Sequence, residues 1–126
     1  MRRRDMEPLA EYLDEEGFLS VRVLAPWTAD HAKGIIDQAK KEAVAKGYNR
    51  IFVDVTNWTK PDTELTRFLS GEYLAGQLGR PFRVVALANA EGINRFAENT
   101  AVNRGADFRV FSDRPSAMEW LLRGTG

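Results

Sequence analysis

The residues best placed for chemistry are two polar side chains around the end of an apolar run. Asp54 and Thr56 lie at the end of the segment Ile51–Val55, which is rich in β-branched residues and typical of a strand covered on both faces. In open α/β sheets, ligands and partners meet the carboxyl ends of the strands. A carboxylate there could be a base or a metal ligand, but more often it braces its own loop through backbone N–H groups. Because no other ligand lies at metal spacing, we predict neither a metal nor a cofactor.

A second polar pair, Asp62-Thr63, directly precedes an apolar helical pattern. Either residue can accept a hydrogen bond from the unpaired N–H groups at a helix start. The alternative is a regulatory hydroxyl at Thr63. Trp58 lies in the loop between the two pairs. Its side chain is predicted either to pack against the core or to cover a pocket. If it is exposed, a tryptophan there would anchor a partner protein.

No catalytic constellation is recognisable. His31 is the sole histidine and is expected at the surface or in a capping role. The nucleophile motif Gly-x-Ser-x-Gly and the glycine-rich phosphate-binding motifs are absent. The spacing of Asp54, His31 and Glu64 along the chain does not assign complementary catalytic roles to any two of them. We therefore predict a protein without enzymatic activity and with no catalytic residues.

Composition narrows the class of protein. The 126 residues suit one α/β domain, with residues 1–7 expected to be flexible. Lysine plus arginine and aspartate plus glutamate both number 18, which argues against a nucleic-acid partner. The chain has no cysteine, and no apolar run approaches the roughly 18 residues that span a bilayer. We expect a cytoplasmic protein.

Turn and cap signals divide the chain into nine elements. Strands that alternate with helices indicate a mainly parallel sheet of about five strands with right-handed crossovers, edged by an antiparallel N-terminal hairpin. The expected strands are 9–13, 18–24, 51–55, 82–87 and 108–111, and 14–17 is the hairpin turn. Four helices are expected: from the Thr28 cap to Gly47, from Asp62 or Thr63 to Gly79, around an inner stripe 93–101 closed by 103–105, and after the Asp113 cap.

The second helix is apolar on two sides. Leu65 and Phe68 belong to one broad face, whereas Leu74 and Leu78 fall nearly opposite. Such a helix is either deeply buried or covered by something else. We favour a contact surface at Leu74 and Leu78 for a protein partner or a homodimer. The alternative is burial under a neighbouring helix or loop.

The third helix is unusually polar. The structural interpretation is a solvated face. The functional interpretation is a hydrogen-bonding surface for a partner or a polar ligand. The residues concerned are Asn94, Arg95, Glu98, Asn99, Asn103 and Arg104.

Two stretches resemble the STAS domain, and within it the SpoIIAA-like group of small bacterial proteins related to the Sec14 lipid-binding fold. One is Val53-Asp-Val-Thr with the loop that follows it. The other is the ending 107–121, a strand, a polar cap and a short helix with an aromatic-Leu pair. With the element order, the resemblance covers nearly the whole chain and implies a STAS-like fold.

The resemblance also implies a regulatory site. In STAS antagonists of anti-sigma factors, a strand-end Asp-x-Ser is followed by an Asp-Ser at a helix start, whose serine is phosphorylated. Asp54 and Thr56 match the first pair, and Asp62 and Thr63 match the second. Glu64 departs from the family's small residues, and its charge would repel phosphate.

These observations favour a small regulatory domain that engages a partner through the loop 56–63 and the second helix. The Sec14 likeness implies an alternative, a module that binds a small apolar molecule or a lipid. Its pocket would lie between sheet and helices, with Phe52, Trp58, Phe68 and Tyr73 in its wall.

Overall fold

A five-stranded sheet with helices on both faces makes up the described part of the chain, residues 8–58, 60–89 and 96–123 of a computed structural model. The predicted α/β class and the predicted order of elements are confirmed. The elements are β1 (Ala10–Glu15), β2 (Phe18–Val23), α1 (Ala29–Lys46), β3 (Arg50–Val55), α2 (Glu64–Gln77), β4 (Arg83–Ala88), α3 (Phe96–Asn103), β5 (Asp107–Phe111) and α4 (Arg114–Leu122).

The strands lie in the sheet in chain order. β1 pairs antiparallel with β2, and β2 to β5 pair in parallel. Every parallel crossover therefore advances in the same direction, and right-handed crossovers then place α1, α2 and α3 on one face. The chain order never reverses, so the sheet has no topological switch point, the usual ligand crevice of doubly wound folds.

The hairpin is tighter than predicted. β1 extends to Glu15, which pairs with Phe18 and leaves only Glu16 and Gly17 in the turn. Gly17 has φ of 91°, a conformation that glycine adopts without the steric penalty of a Cβ atom. A two-residue turn requires such positive φ values, so the strand runs two residues beyond its predicted end at Leu13. Its start at Ala10 is one residue later than predicted.

The predicted ends of α1 are confirmed. Thr28 is the N-cap, and its side-chain oxygen accepts a hydrogen bond from the backbone N–H of His31 at 3.0 Å. Gly47 closes the helix with φ of 79°. His31 also places its ring Nδ1 2.8 Å from the carbonyl oxygen of Pro26, which is a local bracing contact at the helix start.

Alternation along the strands produces two cores. Ile51 and Val84 belong to the larger core under α1, α2 and α3. Their neighbours Phe52 and Val85 belong to a smaller core on the other face, where α4 contributes Leu121. Successive side chains of a strand point to opposite faces, so this parity decides which residues can reach each helix layer.

Some predictions lie outside the described residues. These are the flexible segment 1–7, the predictions for Ile93, Asn94 and Arg95, and those for the side chains of Phe96 and Ala97.

Candidate ligand-binding cavity

Asp54 braces its own loop. One carboxylate oxygen, Oδ1, accepts hydrogen bonds from the backbone N–H of Thr56 at 2.9 Å and from its hydroxyl at 2.7 Å. By strand parity, Asp54 shares the α4 side of β3 with Phe52. Among the described residues there is no cluster of three histidine, cysteine or acidic side chains that could hold a metal ion.

The pair Asp62-Thr63 directly precedes α2. One residue occupies the cap position, and the other accepts the hydrogen bonds. Thr63 occupies the N-cap position but its side chain makes no capping hydrogen bond. Asp62 Oδ1 instead accepts from the Thr63 N–H at 2.9 Å and from the Thr66 hydroxyl at 2.6 Å. Asp62 and Thr63 are both exposed, and the Thr63 hydroxyl oxygen lies 3.2 Å from that of the buried Thr66.

Trp58 holds the loop against the start of α1. Its ring is stacked on Trp27, with 5.1 Å between centroids and 6° between planes. The Trp58 indole N–H donates to the carbonyl oxygen of Ala25 at 2.6 Å, and the Trp27 indole N–H donates to Ser70 Oγ at 3.1 Å. The side chain is half-buried, packs against the larger core and also lines a cavity, so its position fits both predicted alternatives.

Leu74 and Leu78 are not a contact surface, and that prediction was wrong. They are only 8% and 1% exposed and belong to the larger core. The alternative, burial, is what the fold provides: this side of α2 faces the sheet. Leu65, on the opposite side, is 61% exposed, and Phe68 is half-buried, with the Arg104 guanidinium 5.2 Å from its ring centroid.

An apolar cavity of about 140 Å³ lies between the sheet and the helices α1 and α2. Small side chains of α1 and α2, among them Ala32, Ala39 and Gly71, leave the space, and Trp27 and Trp58 lie at one end. The sheet contributes residues mainly from the carboxyl halves of β2 to β5, including Val23, Val53, Val55, Ala86, Ala88 and Val110. The cavity is thus at the end of the sheet where a site was expected, but beneath the helix layer.

Two charged residues in the cavity wall are themselves buried. Arg67 is 7% exposed, and its Nε lies 3.2 Å from Glu64 Oε1. Its guanidinium also lies 5.0 Å from the Trp27 ring centroid, in cation–π range.

Glu98 is the acidic counterpart in the wall, with 6% exposure. Its Oε2 accepts from the backbone N–H of Val110 at 2.8 Å and lies 3.7 Å from Arg109 Nε. The carboxylate therefore satisfies one backbone N–H of the edge strand β5.

Sequence reasoning found Trp58 but misassigned the other predicted wall residues. Phe52 faces α4, in the smaller core. Tyr73 is directed to the surface, where its hydroxyl donates to Asp37 Oδ1 at 2.5 Å. Neither of them, nor Phe68, is among the described lining residues. Val53 and Val55 line the cavity, and the alternation of side chains along β3 places Phe52 on the opposite face of the sheet. This alternation could have excluded Phe52 from the predicted wall.

The fold has a counterpart among solved structures. The chain is similar to an uncharacterised protein of the DUF3478 family with a SpoIIAA-like fold from Shewanella loihica PV-4, with a TM-score of 0.54 and 18% identity. The likeness covers 89% of this chain and 91% of that one. It shows that this chain has a SpoIIAA-like fold, as the sequence predicted. No family model matches the sequence, and no curated protein matches it.

Proposed function

We propose that this domain binds a small apolar molecule in the cavity between the sheet and α1 and α2. The observation that carries the proposal is the cavity itself, about 140 Å³ of space with an almost wholly apolar wall. Apolar cavities of about 150 Å³ in other proteins remain dry and take up benzene-sized molecules. We infer a non-enzymatic, cytoplasmic role for the domain.

The energetic cost of the cavity supports a function for it. At about 24 cal/mol per Å³, an enclosed void of this size destabilises a fold by about 3 kcal/mol, which is the upper bound for this cavity because it is partly open to the surface. That is a large fraction of the roughly 5–15 kcal/mol by which domains are stable. A ligand that fills the space would recover part of this free energy.

Mass spectrometry of the protein purified from its native cells tests the proposal. We expect a small molecule that is retained under native conditions and lost on denaturation. The variant Ala39→Val, which narrows the cavity, should retain less of it. A native mass equal to the denatured mass, together with no uptake of toluene by the purified protein, would refute the proposal.

A second candidate function, engagement of a protein partner, is favoured by the surface at the start of α2. There the exposed residues Asp62, Thr63 and Leu65 lie together, and Thr63 matches the phosphorylated position of the family that the sequence resembles. A phosphate on Thr63 in the intact mass would support it. If Thr63 is unmodified, and Thr63→Glu leaves the mass of the native assembly unchanged, this candidate fails.

The homodimer stays a prediction. With Leu74 and Leu78 buried, a dimer formed through α2 would use its exposed Leu65 side, and sedimentation of Leu65→Glu against the parent protein tests that arrangement. Within the described residues, no helix is both long and apolar enough to cross a membrane.

A further inference from the structure

Strand β1 leaves one edge of the sheet open. Within the described residues no strand lies beyond it, and four of its six residues are exposed. We propose that this edge pairs with the same edge of a second copy of the chain, antiparallel and centred on Tyr12. The same surface then serves both subunits, as in other twofold dimers. This dimer is independent of the proposed ligand binding, and it does not use the Leu65 side of α2.

The backbone of β1 directs hydrogen-bonding groups away from the sheet at every second residue. The Leu24 N–H donates to the Leu9 carbonyl oxygen at 2.9 Å, so the backbone groups of Leu9 face β2. Hydrogen-bonded and non-hydrogen-bonded pairs alternate along an antiparallel ladder. The N–H and C=O groups of Ala10, Tyr12 and Asp14 therefore point outward. Such a row of backbone groups is a template for a further strand.

The acidic side chains of β1 exclude most registers for the pairing of two copies. Outward-facing residues must lie opposite each other, so the twofold axis passes through a residue position. An axis at Glu11, Asp14 or Glu15 would place each carboxylate directly opposite its own copy, and directly opposed like charges destabilise a sheet. An axis at Leu13 would place Glu11 opposite Glu15. An axis at Ala10 would leave most of the strand unpaired.

An axis at Tyr12 avoids these repulsions and pairs the strand along most of its length. Glu11 then lies opposite Leu13 of the second copy, and Asp14 lies opposite Ala10 of the second copy. The two half-buried Tyr12 side chains meet at the axis. Aromatic pairs across neighbouring strands stabilise a sheet. The register centred on Tyr12 is therefore the favoured one.

The charges beside the edge favour a second copy over a basic peptide as the occupant. Charged side chains on an edge strand usually oppose pairing, but here cations of the same chain lie near the acids. Lys46 Nζ is 2.9 Å from Asp14 Oδ1, and Arg22 Nη1 is 3.9 Å from Glu11 Oε1. A basic strand would compete with these cations, whereas a second β1 brings its own cations with it.

Cysteine cross-linking of the full-length protein tests the surface and the register together. The sequence has no cysteine, and the side chains of a non-hydrogen-bonded antiparallel pair are close enough for a disulfide. With the axis at Tyr12, a mixture of the Glu11→Cys and Leu13→Cys proteins, oxidised by oxidised glutathione, should form severalfold more disulfide dimer than either protein alone. If either protein alone forms as much dimer as the mixture, the proposal is overturned.

Sedimentation equilibrium of two variants at the exposed Leu13 provides a second test. Leu13→Lys places a cation opposite Glu11 of the second copy, whereas Leu13→Glu places a like charge there. The contact occurs twice in the dimer, so the dimer Kd of Leu13→Glu should exceed that of Leu13→Lys by about tenfold or more. Equal Kd values, or a parent protein that stays monomeric up to millimolar concentration, would overturn the proposal. The proposed ligand binding would be unaffected, because no residue of β1 is among the described lining residues of the cavity.

Discussion

Two alanines on one helix provide the sharpest test of the cavity. Ala39 and Ala43 lie one turn apart on the buried face of α1. Ala39 lines the cavity, whereas Ala43 is not among its described lining residues and packs in the same core. The same substitution, alanine to valine, therefore adds the same two carbons to a void at one site and to closely packed atoms at the other.

The magnitudes follow from that difference. At Ala39, two added carbons at about 0.8 kcal/mol each stabilise the fold by up to about 1.6 kcal/mol. At Ala43, overpacking costs about 1–3 kcal/mol. The lower helix propensity of valine, up to about 0.7 kcal/mol, applies to both and cancels in the comparison. Ala39→Val should therefore be more stable than Ala43→Val by about 3 kcal/mol.

Urea denaturation with parallel thermal unfolding measures the difference. For a chain of 126 residues, about 3 kcal/mol corresponds to roughly 11 °C in Tm. The m-values of the two variants should agree, which would show that the unfolded states are comparable. Equal destabilisation by the two substitutions would mean that no void adjoins Ala39 in solution, and the ligand proposal would lose its basis.

Three further predictions concern other parts of the fold. Leu78→Ala should cost about 2–5 kcal/mol in unfolding free energy, whereas Leu65→Ala should change it by less than about 0.5 kcal/mol; equal effects in urea denaturation would contradict the assignment of the inner side of α2. Thr28→Ala should lower stability by about 1 kcal/mol through loss of the cap on α1, and Thr63→Ala, where no side-chain capping bond exists, should cost less; the reverse order would argue against these cap assignments. Burial raises the pKa of Tyr12 to about 12, so its contribution to stability is complete below the unfolded pKa of about 10 and is lost as pH rises to about 12. The loss should be about 1 kcal/mol after allowance for solvent screening of a half-buried side chain, and Tyr12→Phe should lack it; identical pH profiles of the two proteins would refute the shift.

The order of the elements could be predicted because local signals specify it. Thr28 and Gly47 mark the ends of α1 through cap chemistry that involves only neighbouring residues. β3 is recognisable from its β-branched composition alone. The sequence-level prediction of a SpoIIAA-like fold depends on such signals and on the ending 107–121, and both are local.

The cavity could not be predicted, because a void is the difference between the space that the elements enclose and the volume of their side chains. Its signal in the sequence is a set of small residues, Ala32, Ala39, Gly71 and Ala86, spread over three elements. Helical periodicity places Leu74 on a definite side of α2, but only the position of α2 between α1 and α3 shows that this side faces the sheet. The burial of Arg67 likewise depends on packing against Trp27.

The absence of a topological switch point explains where the cavity lies. Because α1, α2 and α3 all cover one face, the crossovers leave no crevice between adjacent strand ends. The described cavity instead lies between the sheet and its helix layer, where alanine and glycine stand in place of larger side chains. The loop after β3 links this space to the surface: Trp58 lines the cavity, and the Asp62 N–H donates to the Trp27 carbonyl oxygen at 3.1 Å. The two candidate functions thus share one segment, since the loop that carries the cavity-lining Trp58 leads to the exposed Thr63.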